Sequence, residues 1–108
     1  MFVVVLSKIF AKSFRGMALY PFIFLRDKSL KKNEVVINHE KIHLRQQLEF
    51  LIIPFYIWYG IEFLIHLIQF KDSTKAYLRI SFEREAYANE RDLTYLKKRK
   101  FWAFRRYI

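Results

Sequence analysis

Two short apolar runs begin the hydrophobic pattern of the chain. Residues 2–6 and the segment MALYPFIFL at 17–25 are rich in Val, Phe, Ile and Tyr. Both are too short to span a membrane as helices, so they predict two strands, joined by a turn or short helix at KSFRG, 12–16. Pro21 lacks a backbone N–H and therefore restricts its strand to a sheet edge or a bulge.

A helical pattern follows the polar connection RDKSLKKN. Ser29 or Asn33 is the expected N-cap of this helix. Apolar and amide side chains recur at helical spacing and include two histidines. The positions are Val35, Val36, His39, Ile42, His43, Gln46 and Gln47.

Residues 50–70, FLIIPFYIWYGIEFLIHLIQF, are long enough to cross a bilayer, roughly 30 Å if helical. Pro54, Gly60 and the ionisable pair Glu62 and His66 argue against a simple span. Glu62 and His66 are four residues apart, so we expect them to share a hydrogen bond. We expect a helix half-sunk in the membrane or packed on its neighbours, with a tilted single span as the alternative.

The last long pattern predicts one helix from residue 76 to about residue 98, after a KDSTK turn in which Ser73 or Thr74 is the cap. One face of this helix repeats at spacings of three and four and includes two carboxylates. Its members are Ala76, Ile80, Glu83, Tyr87, Glu90 and Thr94. The whole pattern predicts a mainly α fold with a small β element (α+β), in one minimal domain over residues 1–108.

Composition narrows the functional classes. Apolar residues make up 54% of the chain and Gly and Pro are rare, so we expect an ordered fold. Cysteine is absent, which leaves His and carboxylates as the strong metal ligands. The N-terminus lacks a basic stretch before its apolar run and a cleavage site, so we expect an intracellular protein.

The net charge of +10 suggests an anionic partner. The tail LKKRKFWAFRRYI interleaves basic and aromatic residues, which suits the surface of an anionic membrane on the cytoplasmic side. No nucleic-acid-binding motif accompanies the charge, so we expect no nucleic acid partner.

The sequence NHEKIHLRQQ places chemistry on the first predicted helix. Histidines four residues apart direct both imidazoles to one point, so His39 and His43 can bind the same Zn²⁺ ion. Glu40 follows the first histidine, where it can act as a general base instead of a ligand. Glu83 on the carboxylate-bearing face of the last helix is the expected third ligand, ahead of Glu85.

These residues resemble the gluzincins, zinc metallopeptidases with His-Glu-x-x-His on one helix and a glutamate ligand on a later one. HEKIH at 39–43 matches in full, and EREAY at 83–87 is similar to the Glu-x-x-Ala-Asp segment of that family, with Glu83 at the ligand position. The departure is Tyr87 in place of Asp, which orients a ligating histidine. Glu90, Asn89 or Glu62 are the candidates to replace that acceptor.

The resemblance implies a membrane-associated zinc endopeptidase that acts on peptide or protein substrates. Unregulated cleavage would endanger the cell, so a latent form of the enzyme is one expectation. Glu40 would serve as base, and the oxyanion would take a donor from Tyr87 or His66, with Tyr77 and Arg84 as further candidates. The segment LYPFIFL resembles the edge strand that pairs with substrate in this family. The competing hypothesis is a non-enzymatic membrane-interface or metal-stapled binding protein.

Overall fold

The computed structural model describes residues 2–5 and 16–108, and these form a mainly helical chain with a small sheet. Strands β1 (Phe2–Val5), β2 (Gly16–Leu19) and β3 (Phe22–Leu25) lie in the order β1-β3-β2. Strand β1 is parallel to β3, and β2 is antiparallel to it. The predicted α+β class is confirmed.

The prediction of a single strand over 17–25 is wrong. Tyr20 and Pro21 form the turn of a hairpin between β2 and β3, and the peptide bond between them is cis. Proline suits a turn because its ring fixes φ and because it has no N–H to donate to a sheet. The turn or short helix predicted at 12–16 lies, as far as residue 15, outside the described residues.

Helix α1 (Glu34–Phe50) confirms the helix predicted around the histidines. The side chain of Asn33 caps it by accepting hydrogen bonds from the N–H groups of Val35 and Val36. Ser29 lies instead in a short 3-10 helix, Lys28–Lys32. Apolar side chains of α1 and the sheet form the first core cluster, consisting of Ala18, Ile23, Leu25, Val36 and Leu44.

Helix α2 (Ile52–Phe70) is the predicted apolar helix. Pro54 lies in its first turn, where the missing N–H costs little, so the helix continues past it. Leu51 has a positive φ of 64° and separates α2 from α1. The second core cluster lies against the inner face of α2 and consists of Phe55, Ile80, Phe82 and Phe104.

The prediction of one helix from 76 to about 98 is wrong. The structure has three helices, α3 (Ser73–Arg79), α4 (Ser81–Asn89) and α5 (Tyr95–Lys98), and the cap of α3 is Asp72 rather than Ser73 or Thr74. Ile80 is extended, with ψ of 132°, and separates α3 from α4.

The break at Ile80 has a tertiary cause. Glu62 on α2 accepts hydrogen bonds from the backbone N–H of Ser81, at 2.8 Å, and from its hydroxyl, at 2.5 Å. A carboxylate from another helix therefore satisfies the first turn of α4. The predicted hydrogen bond between Glu62 and His66 is replaced by a looser contact of 4.0 Å.

The basic tail is partly built into the fold. The Arg99 side chain is fully buried, and Phe104 joins the second core cluster. Phe101 and Trp102, by contrast, are exposed. The chain ends in a 3-10 helix, Ala103–Tyr107.

Candidate metal centre

Two helices bring three potential ligands together. His39 and His43 lie one turn apart on the buried face of α1, and Glu83 lies in the first turn of α4. The Oε1 atom of Glu83 is 3.1 Å from His39 Nε2 and 3.0 Å from His43 Nε2, and the two Nε2 atoms are 3.2 Å apart. The predicted set of His39, His43 and Glu83 therefore forms one buried cluster.

Hydrogen bonds at the far side of each ring define the tautomers. His39 Nδ1 lies 2.8 Å from Glu90 Oε1, and His43 Nδ1 lies 2.7 Å from Gln46 Oε1. The Gln46 amide nitrogen donates to Glu85 and to the Phe82 carbonyl, so its oxygen faces the imidazole as an acceptor. Both Nδ1–H groups thus act as donors, and the Nε2 atoms of both rings face Glu83, where they can bind a metal.

Three electron-pair donors converging on one point require a cation. A tetrahedral zinc ion with bonds of about 2.0–2.2 Å places its ligand atoms about 3.3 Å apart, close to the three distances between these donors. Two histidines and one glutamate are also a ligand set of catalytic zinc, which keeps a fourth position open. The residues present fit a zinc ion.

Without a metal, a proton takes the role of the cation. Burial opposes the charged form of His43, but the Glu83 carboxylate outweighs it by charge and hydrogen bonding and raises the pKa of His43 to about 9. Burial likewise opposes ionisation of Glu83, and the two imidazoles nevertheless hold its pKa well below the usual range. The cluster is therefore built to hold positive charge.

The second oxygen of Glu83 is held separately. The hydroxyl of Tyr59 on α2 donates to Glu83 Oε2 at 2.6 Å. This bond leaves Oε1 directed at the imidazoles and links α2 to the centre.

Glu90 accepts the hydrogen bond from His39 Nδ1, the role for which Tyr87 has no carboxylate. Of the three candidates, Asn89 donates to the Glu85 carbonyl and to the Tyr107 hydroxyl, and Glu62 caps α4. Asn38 on α1 fixes the end of α4 by donating to the backbone oxygen of Glu90 at 2.8 Å. The Glu90 carboxylate is thereby held beside His39.

A buried ionic network supports Gln46. Glu85 accepts hydrogen bonds from Arg99 and from the Tyr95 hydroxyl, and Arg99 also binds Glu49 at 2.6 Å. Burial alone would raise the pKa of Glu85, but the bonds from Arg99 and Gln46 lower it. Glu85 is therefore a structural partner of Gln46 and not a member of the metal cluster.

A cavity of about 260 Å³ opens beside the cluster, and Glu40 lines it together with His43 and Glu83. Strand β2 forms another wall at residues 16–18, and the remaining wall is largely aromatic, with Phe55, Tyr56, Tyr59 and Tyr77. A Cβ at Gly16 would lie 2.8 Å from a backbone oxygen of β3 and 3.6 Å from the Glu40 carboxylate, so only glycine fits this wall.

Tyr87 and His66, the two predicted donors to the oxyanion, lie in different parts of the structure. The ring of Tyr87 packs edge-on against His39 with centroids 4.4 Å apart, and its hydroxyl is 3.1 Å from that of Tyr77. His66 lies two turns beyond Tyr59 on α2 and lines a different cavity, beside Glu62. His66 is thus not among the residues that surround the metal cluster, and Arg84 bonds the Tyr107 carbonyl instead.

Sequence reasoning missed Gln46 and Tyr59 as partners of the ligands. Gln46 lies three residues after His43, a spacing that places both on one helical face, so that signal was available. Tyr59 has no such local signal, because its partner Glu83 comes from another helix.

No family model matches this chain, and comparison with curated proteins and with solved structures finds no match. The resemblance to the gluzincins stays a prediction based on the residues of the metal centre.

Proposed function

We propose that this protein is a zinc-dependent metallopeptidase that hydrolyses peptide bonds, with His39, His43 and Glu83 as ligands and Glu40 as general base. The observation that carries the proposal is the convergence of three donors on one point at the edge of a cavity that Glu40 also lines. A purely structural zinc site is closed by a fourth protein ligand, whereas a catalytic site keeps that position for water or substrate.

Zinc held by His39, His43 and Glu83 would supply the Lewis acidity that makes a water molecule acidic near neutral pH. Glu40 takes the proton as the water oxygen forms its bond to the peptide carbonyl carbon. The carbon–nitrogen bond then breaks, and Glu40 returns the proton to the leaving amine. Tyr77 lines the cavity with a hydroxyl bonded to Tyr87, so this pair replaces His66 as the proposed donor to the oxyanion.

Strand β2 is the proposed guide for an extended substrate. It forms the cavity wall and, among the described strands, has only β3 as a neighbour, so its other edge faces away from the sheet. The predicted edge strand LYPFIFL lies mainly in β3, which is central instead. Peptides bind to such edges by main-chain hydrogen bonds.

The free edge of β2 already has hydrogen-bond partners, which supports the proposal that the enzyme is latent. Gln47 donates to the Ala18 carbonyl at 2.8 Å and accepts from the Tyr20 N–H at 2.7 Å, and the Tyr56 hydroxyl also donates to Ala18. These side chains occupy main-chain groups that a substrate strand would need. We expect Tyr56→Phe to raise peptidase activity, measured as kcat/KM, because one competing donor is removed.

Replacement of Glu40 tests the proposal. The zinc-loaded wild type is expected to cleave a quenched fluorescent peptide library, and Glu40→Gln is expected to bind zinc with a loss of at least about 10²-fold in kcat. Glu34→Gln, an exposed change at the start of the same helix, is the matched control. Zinc binding without cleavage in both the wild type and Tyr56→Phe would favour the alternative, a metal-stapled binding protein.

A further inference from the structure

Helix α2 presents an uninterrupted aliphatic face to the outside of the molecule. Six Ile and Leu side chains on this face are between 49% and 76% exposed. At 100° per residue they fall within one third of the helix circumference, with no polar residue among them. This α2 stripe consists of Ile53, Ile57, Ile61, Leu64, Ile65 and Ile68.

The opposite face of α2 is an integral part of the fold. Phe55 is buried in the second core cluster, Tyr59 binds the ligand Glu83, and Glu62 caps α4. A helix with these connections has only one face available to another partner. The exposed stripe is a contiguous apolar surface on the order of several hundred Å², the size that marks interaction sites.

Length and composition alone would allow α2 to cross a membrane. Its 19 residues correspond to roughly 28 Å. A crossing orientation would carry Glu62, Ser81 and the charged metal centre into the hydrocarbon together with the helix, which is costly. An orientation parallel to the bilayer immerses the stripe and keeps those groups on the aqueous side.

Basic and aromatic side chains flank both ends of the helix. Near its start, Trp102 packs on Phe50, and the Arg105 guanidinium lies 5.6 Å from the Trp102 ring. At its end, the exposed Lys71 follows the helix directly. Aromatic rings and basic groups of this kind anchor proteins at an anionic headgroup layer, and the net charge of +10 complements such a surface.

We propose that the α2 stripe binds an anionic lipid bilayer, with α2 lying in the plane of the interface and not across it. The inner face of the same helix lines the cavity beside Glu40, so the cavity opens about one helix diameter, roughly 10 Å, from the lipid. This last step rests on the proposed peptidase function: the substrate is a polypeptide segment held at a membrane surface.

Sedimentation with lipid vesicles tests the membrane contact without any need for zinc. The probes are vesicles of phosphatidylcholine alone and with 30% phosphatidylglycerol. The wild type is expected to sediment with the anionic vesicles, and Ile57→Gln/Leu64→Gln is expected to lose at least about tenfold in partitioning. The matched control Leu78→Gln/Leu93→Gln removes two leucines of similar exposure that are not part of the stripe, and it is expected to partition as the wild type does.

Three results would overturn the membrane contact. One is a wild type that ignores anionic vesicles, and another is a stripe variant that partitions as the wild type does. The third is a lipid-free dimer, seen by light scattering, that the stripe variant abolishes while vesicle binding is absent, since the stripe would then cover a second copy. Glutamine favours helices and both positions are exposed, so circular dichroism is expected to show a retained fold.

Fluorescence quenching distinguishes the in-plane orientation from a span. Trp102→Phe leaves Trp58 as the only tryptophan, at the margin of the stripe. Lipids brominated near the headgroup are expected to quench Trp58 more strongly than lipids brominated near the bilayer centre. The reverse order would overturn the in-plane orientation.

A pair of peptides tests the substrate class. The same sequence is offered to the zinc-loaded protein free in solution and attached to a lipid in anionic vesicles. The wild type is expected to prefer the anchored form at least about tenfold in kcat/KM, and Ile57→Gln/Leu64→Gln is expected to lose this preference while it cleaves the free peptide normally. Equal cleavage of both forms by the wild type overturns the substrate class. Cleavage of neither form by the wild type or by Tyr56→Phe overturns the proposed peptidase and leaves the sedimentation result standing.

Discussion

Replacement of Glu90 measures what the acceptor beside His39 contributes to the metal centre. Its carboxylate lies 2.8 Å from His39 Nδ1 and is buried with the ring, so the hydrogen bond is charge-assisted and shielded from water. Loss of such a partner typically weakens metal binding 10–100-fold, or about 1.4–2.7 kcal/mol. Glu90→Gln keeps an acceptor but removes the charge, so we expect about tenfold weaker zinc binding.

Glu90→Leu removes the acceptor as well, and the expected loss rises toward about a hundredfold. The end of α4 should stay in place in both variants, because Asn38 binds the backbone oxygen of Glu90 and not its side chain. The assay is competition for zinc against a chromophoric chelator at fixed pH and salt.

Glu34→Gln is the control for the change in net charge, since Glu34 is exposed in the first turn of α1. Wild-type affinity in both Glu90 variants would refute the assigned role of this hydrogen bond. A loss of equal size in Glu34→Gln would attribute the effect to overall charge.

Four further changes probe the centre and the fold around it. Arg99→Met should lower the free energy of unfolding by about 3–5 kcal/mol, seen in urea titrations, because it leaves the buried Glu85 carboxylate without its cation. In the metal-free protein, the raised pKa of His43 stabilises the fold below pH 6.5, and this contribution is lost as the pH rises through about 9. The melting temperature should therefore fall between pH 6.5 and about 9, while zinc affinity rises over the same interval. Gly16→Ala should lower the free energy of unfolding by about 1–3 kcal/mol, because the added Cβ would meet a backbone oxygen at 2.8 Å. Gly60 lies on a helix with open space around it, so Gly60→Ala should raise the free energy of unfolding by up to about 1 kcal/mol. Calorimetry of the two variants would compare these effects.

Local sequence patterns predicted the features that depend on a single helix. The spacing of His39 and His43 follows from one helix, for which Asn33 was one of two predicted caps, and helical periodicity placed Glu83 on the face that meets it. The same periodicity could not show the break at Ile80. That break depends on Glu62, whose contact with α4 is a property of the tertiary fold.

The choice among partners also required the assembled fold. Glu90 was one of three candidates for the acceptor beside His39, and only the turn after α4, held by Asn38, distinguishes it from Asn89. Arg99 belongs to a tail whose composition suggests a membrane surface. Its burial against Glu85 follows from the packing of the tail on α1 and α4, which the local sequence does not encode.

Zinc content of the purified protein tests the central claim most directly. After loading and removal of free metal, mass spectrometry is expected to find about one zinc ion per chain in the wild type and in His66→Ala, and almost none in His39→Ala and Glu83→Ala. A wild type that retains no zinc, or ligand variants that retain as much as the wild type, would contradict the assignment of His39, His43 and Glu83 as a metal centre.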